Sequence, residues 1–563
     1  MLDYLGHSYT KWDVHRWMER QPDGVSILAC GSSDESWLRT CKDYCSQGNA
    51  LLAIGGVYGL EKLLGVQPSD SIIEGWIDWG SSELADGLQS SFHFWDGQGL
   101  EQDHEEAEVF GRIVGGRNSK RPKLNAVAIR EYGSGVAGCI TVDVMKTTCL
   151  IQQGIRVDRD GISAPDGTAA IQDGLLKTDD GSVLDWILDR DTGRDEESPY
   201  FMYPIVDEWR VLLQRLLMRL AGKIRLPLGQ VWFWPEGLDG IGHISHDTDG
   251  HSAAHARKML ALLDQAEVNS TWCTLMPGYP GEVYDEIRRA GHEIALHYNA
   301  LGTEIAESSW SEQHFRAQLG LLRDQVPQGS IVSNKNHYLR WEGDVQFYGW
   351  CERAGIKVEQ SKGGSKKGNK GFTFGTCHPY RPIRLAHEEN RVFPVVSLPT
   401  LAWDPPVEAR CTVDEAFQLL DTSKEMYGVA HFLFHPGMLK TDDSLDAVEQ
   451  FLPELVRRGR ERNLAWWTAE KMGSWCETRR QIKVEIRESL NNTLRLTVYS
   501  DQAVNDLTLL VTTNQAFAQA VFVEGAGVIV SMAAVRRFGS VSQQLIVNIC
   551  AGKTELLLNG HLG

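Results

Sequence analysis

The sequence predicts an α/β protein. Its central part is a distorted (β/α) barrel, preceded by an α/β domain and followed by a small β-sandwich. Short apolar runs alternate with segments of helical spacing through most of the chain, as in parallel sheets covered by helices. Polar residues with metal-binding chemistry directly follow two central apolar runs, and after about residue 480 apolar and polar residues alternate as in half-buried strands. The predicted domains are 1–225, 226–475 and 480–563.

Length and charge limit the classes of function. At 563 residues the chain is too long for one core, so two to four domains are expected. Its 56 basic and 75 acidic residues give a net charge of −19, which argues against nucleic acid or an anionic membrane as the main partner. A neutral or cationic substrate is compatible with this charge.

Cysteine usage and the N-terminus favour a cytoplasmic protein. The 11 cysteines are odd in number and form no paired Cys-x-x-Cys modules, which favours free thiols in a reducing compartment. The first residues contain no basic and apolar export signal, and no stretch is apolar enough to span a membrane. A chain from which an export signal had been removed would look the same.

The N-terminal domain begins with two buried strands, Val25–Ala29 and Ala50–Gly56, on either side of a helix at Glu35–Cys45. This order loosely resembles the flavodoxin-like, amidotransferase-like domains attached to some carbohydrate enzymes. Catalytic members carry a Cys at a sharp strand-to-helix turn. The turn at Gly55–Tyr58 offers no nucleophile, and no His–Glu pair can be assigned to Cys30. We therefore expect a non-catalytic domain.

The central domain contains two motifs with metal-binding chemistry. Asp247 and Asp249 stand two residues apart, after an apolar run and before Gly250. Residues i and i+2 share one face of a strand, so both carboxylates can enter one pocket. His297 ends a second strand-like run. Two carboxylates and an imidazole suit a divalent metal.

The segments between these motifs predict a barrel. A helix over Ala253–Gln265, a strand over Ser270–Leu275 and a helix over Glu282–Ala290 separate Asp249 from the His297 strand. Such alternation indicates parallel strands inside a helical shell. In these barrels the carboxyl ends of the strands form the site, which is where both motifs lie.

The segment 240–475 resembles the polysaccharide deacetylase (NodB-homology) family. Its Thr-Phe-Asp-Asp-Gly motif corresponds to His246–Gly250, and its Gly-His-Glu-Ile-Gly-Asn-His motif to Gly291–His297. The resemblance implies that Asp249 and His297 bind the metal and that Asp247 is the base. Because the family has adjacent aspartates, whereas Thr248 separates them here, the two aspartates could exchange roles.

A second departure concerns the third metal ligand. The family usually has another His four residues after the first, but that position is Leu301, which cannot coordinate. His337, in a polar and aromatic run after a predicted strand, is the best alternative donor. The other interpretation is that His337 hydrogen-bonds the substrate beside Arg340 and Trp341.

Two later runs complete the predicted site. The apolar run Phe432–Phe434 ends in His435, resembling the family's Leu-His motif, whose His is the general acid. The run 374–382 combines polar, aromatic and proline residues, as substrate-binding loops do, and provides His378, Tyr380 and Arg381. His378 is also a rival for the role of the acid.

These residues predict a metal-dependent hydrolase that removes N-acetyl, or O-acetyl, groups from a carbohydrate. Zn²⁺ is the expected metal. One alternative is a metal amidohydrolase acting on a small non-sugar amide. Another is a non-catalytic carbohydrate-binding protein with a decayed barrel, for which the absence of a His at position 301 argues.

The tail has the alternation of an antiparallel sheet. Ile482–Ile486 and Leu494–Val498 alternate apolar and polar residues, with Asn491-Asn492 as the turn between them. Because no row of aromatic residues is visible, a packing module is favoured over a carbohydrate-binding one. Both the tail and the N-terminal domain are candidates for an oligomer interface, and nothing in the sequence ranks them.

Overall fold

The computed structural model describes residues 1–115, 124–193, 198–301, 310–327, 329–384, 391–407, 410–489, 493–514, 517–525 and 527–560. The turn expected at Asn491-Asn492 lies outside these ranges. Within them, no helix combines the length and the apolar character needed to cross a membrane.

By backbone contacts the chain divides into two compact units, where the sequence predicts three domains. Unit 1 comprises Met1–Thr148, Glu208–Gly237 and Thr478–Gly563, and unit 2 comprises Cys149–Asp207 and Leu238–Glu477. Residues 149–207 therefore group with the predicted barrel, and the tail groups with the N-terminal segment. Independent folding of the three predicted domains stays a prediction.

The helices of the described chain are α1 Leu2–Leu5, α2 Val14–Glu19, α3 Glu35–Ser46, α4 Glu61–Leu64, α5 Val144–Gln153, α6 Ile205–Lys223, α7 Ala253–Gln265, α8 Gly281–Arg289, α9 Glu312–Gln325, α10 Gln346–Ala354, α11 Val413–Glu425, α12 Asp442–Glu461 and α13 Ala469–Gln481.

The strands up to the end of unit 2 are β1 Val25–Leu28, β2 Ala50–Ile54, β3 Val66–Asp78, β4 Phe92–Gln102, β5 Glu108–Val114, β6 Asn125–Tyr132, β7 Gly135–Ile140, β8 Asp191–Thr192, β9 Pro199–Tyr200, β10 Leu228–Val231, β11 Gly240–Asp247, β12 Thr271–Leu275, β13 Glu293–Tyr298, β14 Ser333–Asn336, β15 Val358–Glu359, β16 Val396–Ser397, β17 Ala402–Trp403, β18 Val429–Phe434 and β19 Leu464–Trp466. The tail adds β20 Lys483–Ser489, β21 Thr493–Ser500, β22 Val504–Thr512, β23 Phe517–Glu524, β24 Gly527–Arg537, β25 Ser540–Ile549 and β26 Gly552–Gly560.

Unit 1 contains a mixed sheet and two antiparallel sheets. The mixed sheet has the order β1-β2-β7-β6-β4-β3-β5, and only β1, β2 and β7 run parallel. β1, α3 and β2 lie where the sequence predicts them, but the antiparallel hairpins that follow differ from a flavodoxin-like sheet. The seven tail strands, together with β10, form two four-stranded antiparallel sheets, β20-β21-β26-β23 and β10-β22-β25-β24.

Unit 2 is built around a closed ring of parallel strands. β11 to β15 pair in chain order, β15 pairs with β16, and β17 pairs with β18, which pairs with β11. Because β16 and β17 are the two ends of one segment, 396–403, the sheet closes on itself. The predicted parallel barrel is therefore present.

Helices cover the outside of this ring. In α7 an N-terminal cap is combined with a buried apolar stripe: the side chain of Ser252 accepts the main-chain N–H of His255, and Met259 and Leu262 are buried. The strands beneath are buried along their full length, including all of β11 and β13. Parallel pairing places every strand's carboxyl end at the same end of the barrel, which defines one rim.

Candidate active site and metal centre

Five polar residues that the sequence predicts for the site lie at this rim. Asp247 is the last residue of β11, and Asp249 follows in the next turn. His297 lies near the end of β13, His337 directly follows β14, and His435 directly follows β18. The structure therefore brings together five predicted residues that are up to 188 positions apart along the chain, as His435 and Asp247 show.

Three of these side chains form a cluster with metal-ligand spacing. His297 Nε2 lies 3.5 Å from Asp249 Oδ1, and His337 Nε2 lies 3.5 Å from Asp249 Oδ2. One ligand atom from each residue falls within 4.8 Å of the other two. An oxygen and two imidazole nitrogens in this arrangement suit Zn²⁺ or another divalent cation.

The hydrogen bonds around the cluster orient both imidazoles. His297 Nδ1 lies 3.0 Å from the main-chain oxygen of Lys335, and His337 Nδ1 lies 3.3 Å from Asn299 Oδ1. With Nδ1 as the donor in each ring, the lone pair is on Nε2, which faces Asp249. Leu301, at the family's usual ligand position, donates its N–H to the same Asn299 Oδ1 at 2.9 Å.

Unsatisfied polar atoms meet in the same place. Among the described residues, Asp247 Oδ1, Asp249 Oδ1 and His297 Nε2 are buried without a hydrogen-bond partner. Buried polar atoms are rarely left unpaired, so convergence of three at one point indicates a site that takes a ligand. The donor set therefore fits a divalent cation held by Asp249, His297 and His337.

The charge states also suit metal binding. Burial favours protonation of Asp249, but contacts with His297 and His337 outweigh it and hold the pKa of this carboxyl well below its usual value. Burial lowers the pKa of His337, against the effect of Asp249. Asp249 is thus ionised and His337 neutral near pH 7, the forms that coordinate a metal.

Asp247 lies beside the cluster with a different set of neighbours. Its Oδ2 is 3.7 Å from His297 Nε2 and 4.0 Å from His435 Nε2, and its Oδ1 is 3.8 Å from Lys335 Nζ. Lys335 is fully buried and donates to Ser245 Oγ at 2.7 Å. Asp247 therefore has one oxygen facing the cluster and His435, and the other facing a buried lysine.

His435 is held by a carboxylate that sequence reasoning missed. Asp404 Oδ2 lies 2.7 Å from His435 Nδ1, and Asp404 Oδ1 accepts the main-chain N–H of His435 at 2.8 Å. Burial disfavours the imidazolium, but the charge and hydrogen bond of Asp404 dominate and raise the pKa of His435 to about 9. His435 is therefore protonated at neutral pH, with Nε2 facing Asp247.

Two of the predicted substrate-binding residues are engaged elsewhere. Trp341 is 1% exposed, donates Nε1 to the main chain of Asp344 at 2.9 Å, and packs against Phe347 and Tyr348. The prediction that Trp341 contacts substrate is therefore wrong, because its ring belongs to the core. Arg340 forms an ion pair with Glu342, so its charge is already matched.

The run 374–382 does not supply the acid. His378 is 2% exposed, and its Nε2 lies 2.6 Å from the main-chain oxygen of Met426. The main-chain oxygen of the preceding residue, Cys377, accepts the N–H of Val429, which is the first residue of β18. His378 therefore lies at the opposite end of that strand from His435. The rival role of His378 is therefore wrong.

The last two predicted residues follow in the same run. Tyr380 is buried, donates its hydroxyl to the main chain of Gln152 at 2.6 Å, and pairs with Ser397 through the backbone. These contacts make Tyr380 part of the scaffold rather than of a substrate surface. Arg381 is partly exposed, and its contact with substrate stays a prediction.

Comparisons with known proteins give partial likenesses in fold. No protein-family model matches the chain, and no curated protein matches its sequence. Among solved structures, the chain is similar to a candidate polysaccharide deacetylase from Mycobacterium smegmatis, with 15% identity, a TM-score of 0.33, and coverage of 46% of this chain and 98% of the other. It is similar to a family 4 acetyl xylan esterase from Clostridium thermocellum in complex with a cobalt ion, with 13% identity, a TM-score of 0.26, and coverage of 42% and 91%. It is also similar to a mutant of the peptidoglycan deacetylase PdaC from Bacillus subtilis, with 11% identity, a TM-score of 0.25, and coverage of 44% and 95%.

Proposed function

We propose that this protein is a metal-dependent hydrolase that removes acetyl groups from a carbohydrate. One observation carries the proposal: a buried carboxylate, Asp247, lies beside the Asp249–His297–His337 cluster, and a protonated His435 lies 4.0 Å from that carboxylate. A metal site with a base and an acid beside it is the arrangement that acyl transfer to water requires.

Asp249, His297 and His337 would hold the cation. Both oxygens of Asp249 face an imidazole, whereas Asp247 faces Lys335 and His435, which supports Asp249 as the ligand and Asp247 as the base. A divalent cation bound there supplies Lewis-acid chemistry, polarising the acyl carbonyl and lowering the pKa of a water molecule.

Proton transfer is the task of the flanking residues. Asp247, which lies beside Lys335, accepts a proton from the water that adds to the acyl carbon. As the bond from that carbon to nitrogen or oxygen breaks, His435 Nε2 donates its proton to the departing atom, so that acetate and a free amine or alcohol leave. Asp404 stabilises the imidazolium until that step.

The sugar substrate rests on the motif resemblance at His246–Gly250 and Gly291–His297, because the cluster alone fits any small acyl substrate. Acetate release from an N-acetylglucosamine oligomer, an acetylated xylan and a small cyclic amide separates a carbohydrate deacetylase from an amidohydrolase. Release from either carbohydrate, abolished by a chelator and restored by Zn²⁺, is the expected result. Hydrolysis of the cyclic amide alone would mean that the substrate is a non-sugar amide and not a carbohydrate.

The matched variant is Asp247→Asn. We expect it to retain the metal and to lose about 10²–10⁴-fold in turnover, the usual contribution of a general base. Metal retained without turnover of any acyl substrate in the wild type would favour a non-catalytic binding protein instead.

A further inference from the structure

Tyr338 is an exposed aromatic residue at the edge of the proposed metal centre. It directly follows His337, and 58% of its surface is exposed. The two rings lie with their centroids 4.4 Å apart, at an interplanar angle of 51°. Since His337 Nε2 faces Asp249, whose side chain is 40% exposed, Tyr338 lies beside a part of the site that is open to solvent.

The backbone at Tyr338 is strained. Tyr338 has φ 56° and ψ 21°, and Leu339 has φ 54°, so two consecutive residues with side chains adopt the left-handed conformation. That conformation is unfavourable for residues other than glycine and persists only where the surroundings impose it. A side chain spans this turn: Asn336 is fully buried, and its Nδ2 donates a hydrogen bond to the main-chain oxygen of Arg340 at 3.0 Å.

The strained turn has a defined result. It buries the side chain of Leu339, which is 9% exposed, and turns the Tyr338 ring outward. Strained backbone clusters at active sites and ligand clamps, and tyrosine rings are enriched where an aromatic face contacts a partner. Here the two coincide one ring away from a proposed metal ligand.

We propose that the Tyr338 ring is the platform on which the sugar ring of the substrate stacks. An acetyl group is so short that the pyranose carrying it must lie next to the reacting carbonyl, which is where Tyr338 is. The apolar C–H face of a pyranose suits an aromatic face, and neither partner needs a charge. This inference rests on the proposed carbohydrate deacetylase function and names the residue that selects a sugar over a simple acyl ester.

The test compares two substrates in three variants. The substrates are an N-acetylglucosamine oligomer, which carries a sugar ring, and 4-nitrophenyl acetate, which does not. Tyr338→Ala removes the ring, Tyr338→Phe keeps it, and Tyr499→Ala is the matched control because Tyr499 is also exposed, at 37%, and lies in unit 1. Metal content is measured on each protein.

We expect the ratio of kcat/KM for the oligomer to that for the ester to fall about ten-fold in Tyr338→Ala, mainly through KM, as for the loss of one aromatic contact. The ratio should stay unchanged in Tyr338→Phe and Tyr499→Ala. An unchanged ratio in Tyr338→Ala would overturn the inference. Loss of metal from Tyr338→Ala would also overturn it, because the strained turn would then serve only to hold His337.

Failure of the proposed function is distinguishable from failure of the platform. If the wild type hydrolyses neither substrate, the proposed function fails, and calorimetric titration of the oligomer into Asp247→Asn decides the platform separately. Binding that is about ten-fold weaker once Tyr338→Ala is added supports it. Equal binding, or none in either protein, overturns it.

Discussion

Asp404 contacts His435 through both carboxylate oxygens. Oδ2 lies 2.7 Å from the imidazole Nδ1, and Oδ1 accepts the main-chain N–H at 2.8 Å. The first contact fixes the charge of the ring, and the second fixes the backbone that carries it. As a result Nε2 is directed toward Asp247, at 4.0 Å, and carries a proton at neutral pH. The proposed acid is thus assembled from residues at two different strand ends, those of β17 and β18.

Asp404→Asn should move the alkaline limb of the pH–rate profile to lower pH. In the proposed mechanism His435 acts in its protonated form, and with its pKa at about 9 the activity of the wild type should fall as pH rises through 9. Removing the carboxylate charge takes away the largest effect that opposes burial, so the pKa of His435 should be lower than in the wild type. The measurement is kcat/KM against pH for both proteins, because this quantity reports groups of the free enzyme.

The control for this variant is metal content, which should equal that of the wild type because Asp404 contacts none of the three proposed ligands in the described contacts. An alkaline limb that stays near pH 9 in Asp404→Asn would assign the acid to another group.

Lys335→Met tests whether the buried ammonium supports Asp247. Methionine nearly conserves the shape of the side chain but removes the charge 3.8 Å from Asp247 Oδ1. We expect kcat/KM to fall, and the loss to be smaller in an Asp247→Asn background, where no carboxylate remains to be supported. A double-mutant cycle on kcat/KM should give a coupling free energy of about 0.5–3 kcal/mol. Strictly additive effects would mean that Lys335 acts only on the fold.

Most of the site could be predicted from the sequence because its signals are local. Asp247, Asp249, His297 and His435 each stand at the end of an apolar run, and in a parallel barrel the ends of such runs meet. The position of His337 could be predicted in the same way, because it follows β14, the next strand of the barrel after β13. The helices α7 and α9 were predictable for the same reason, since a cap and an apolar stripe lie within one segment.

The remaining features depend on contacts between distant segments. Asp404 enters the site only because segment 396–403 closes the barrel between β15 and β18, and its strands are two residues long. β10 pairs with β22 although the two strands are far apart in the sequence, so that Val231 lies beside Leu509. No local sequence pattern signals this pairing. The sequence predicts that Trp341 and His378 face the site, whereas both are buried, because a polar, aromatic run has the same composition in a core as in a binding loop.

Glu359→Gln should flatten the pH dependence of stability. Glu359 is fully buried, its Oε2 has no hydrogen-bond partner among the described residues, and burial raises its pKa from 4.5 to about 7. Below pH 4.5 the carboxyl is protonated in both folded and unfolded protein, whereas above pH 7 it is ionised in both, so the folded protein binds more protons only between these values. The free energy of unfolding should therefore fall as pH rises from 4.5 to 7, by at most roughly 3 kcal/mol from this group.

The glutamine keeps an acceptor for Ser361, which donates its N–H to Glu359 Oε1 at 2.9 Å, and has no charge to bury. Urea unfolding at pH 5 and pH 8 provides the measurement. The difference in unfolding free energy between the two pH values should be smaller in Glu359→Gln than in the wild type. Identical differences would show that Glu359 keeps an ordinary pKa in the folded protein.

His337→Ala should lose the metal. His337 is the proposed third ligand, and its Nε2 is one of the two imidazole nitrogens that face Asp249. Purified without added metal, the wild type should contain about one equivalent of a divalent metal by elemental analysis, and His337→Ala far less. Added Zn²⁺ should raise the Tm of the wild type, because a ligand that binds only the folded protein stabilises it, and should raise that of His337→Ala much less.

His15→Ala is the matched control, since His15 is exposed and lies in unit 1. Full metal content in His337→Ala would instead place His337 among the groups that contact substrate, and the third ligand would have to be another residue of the rim.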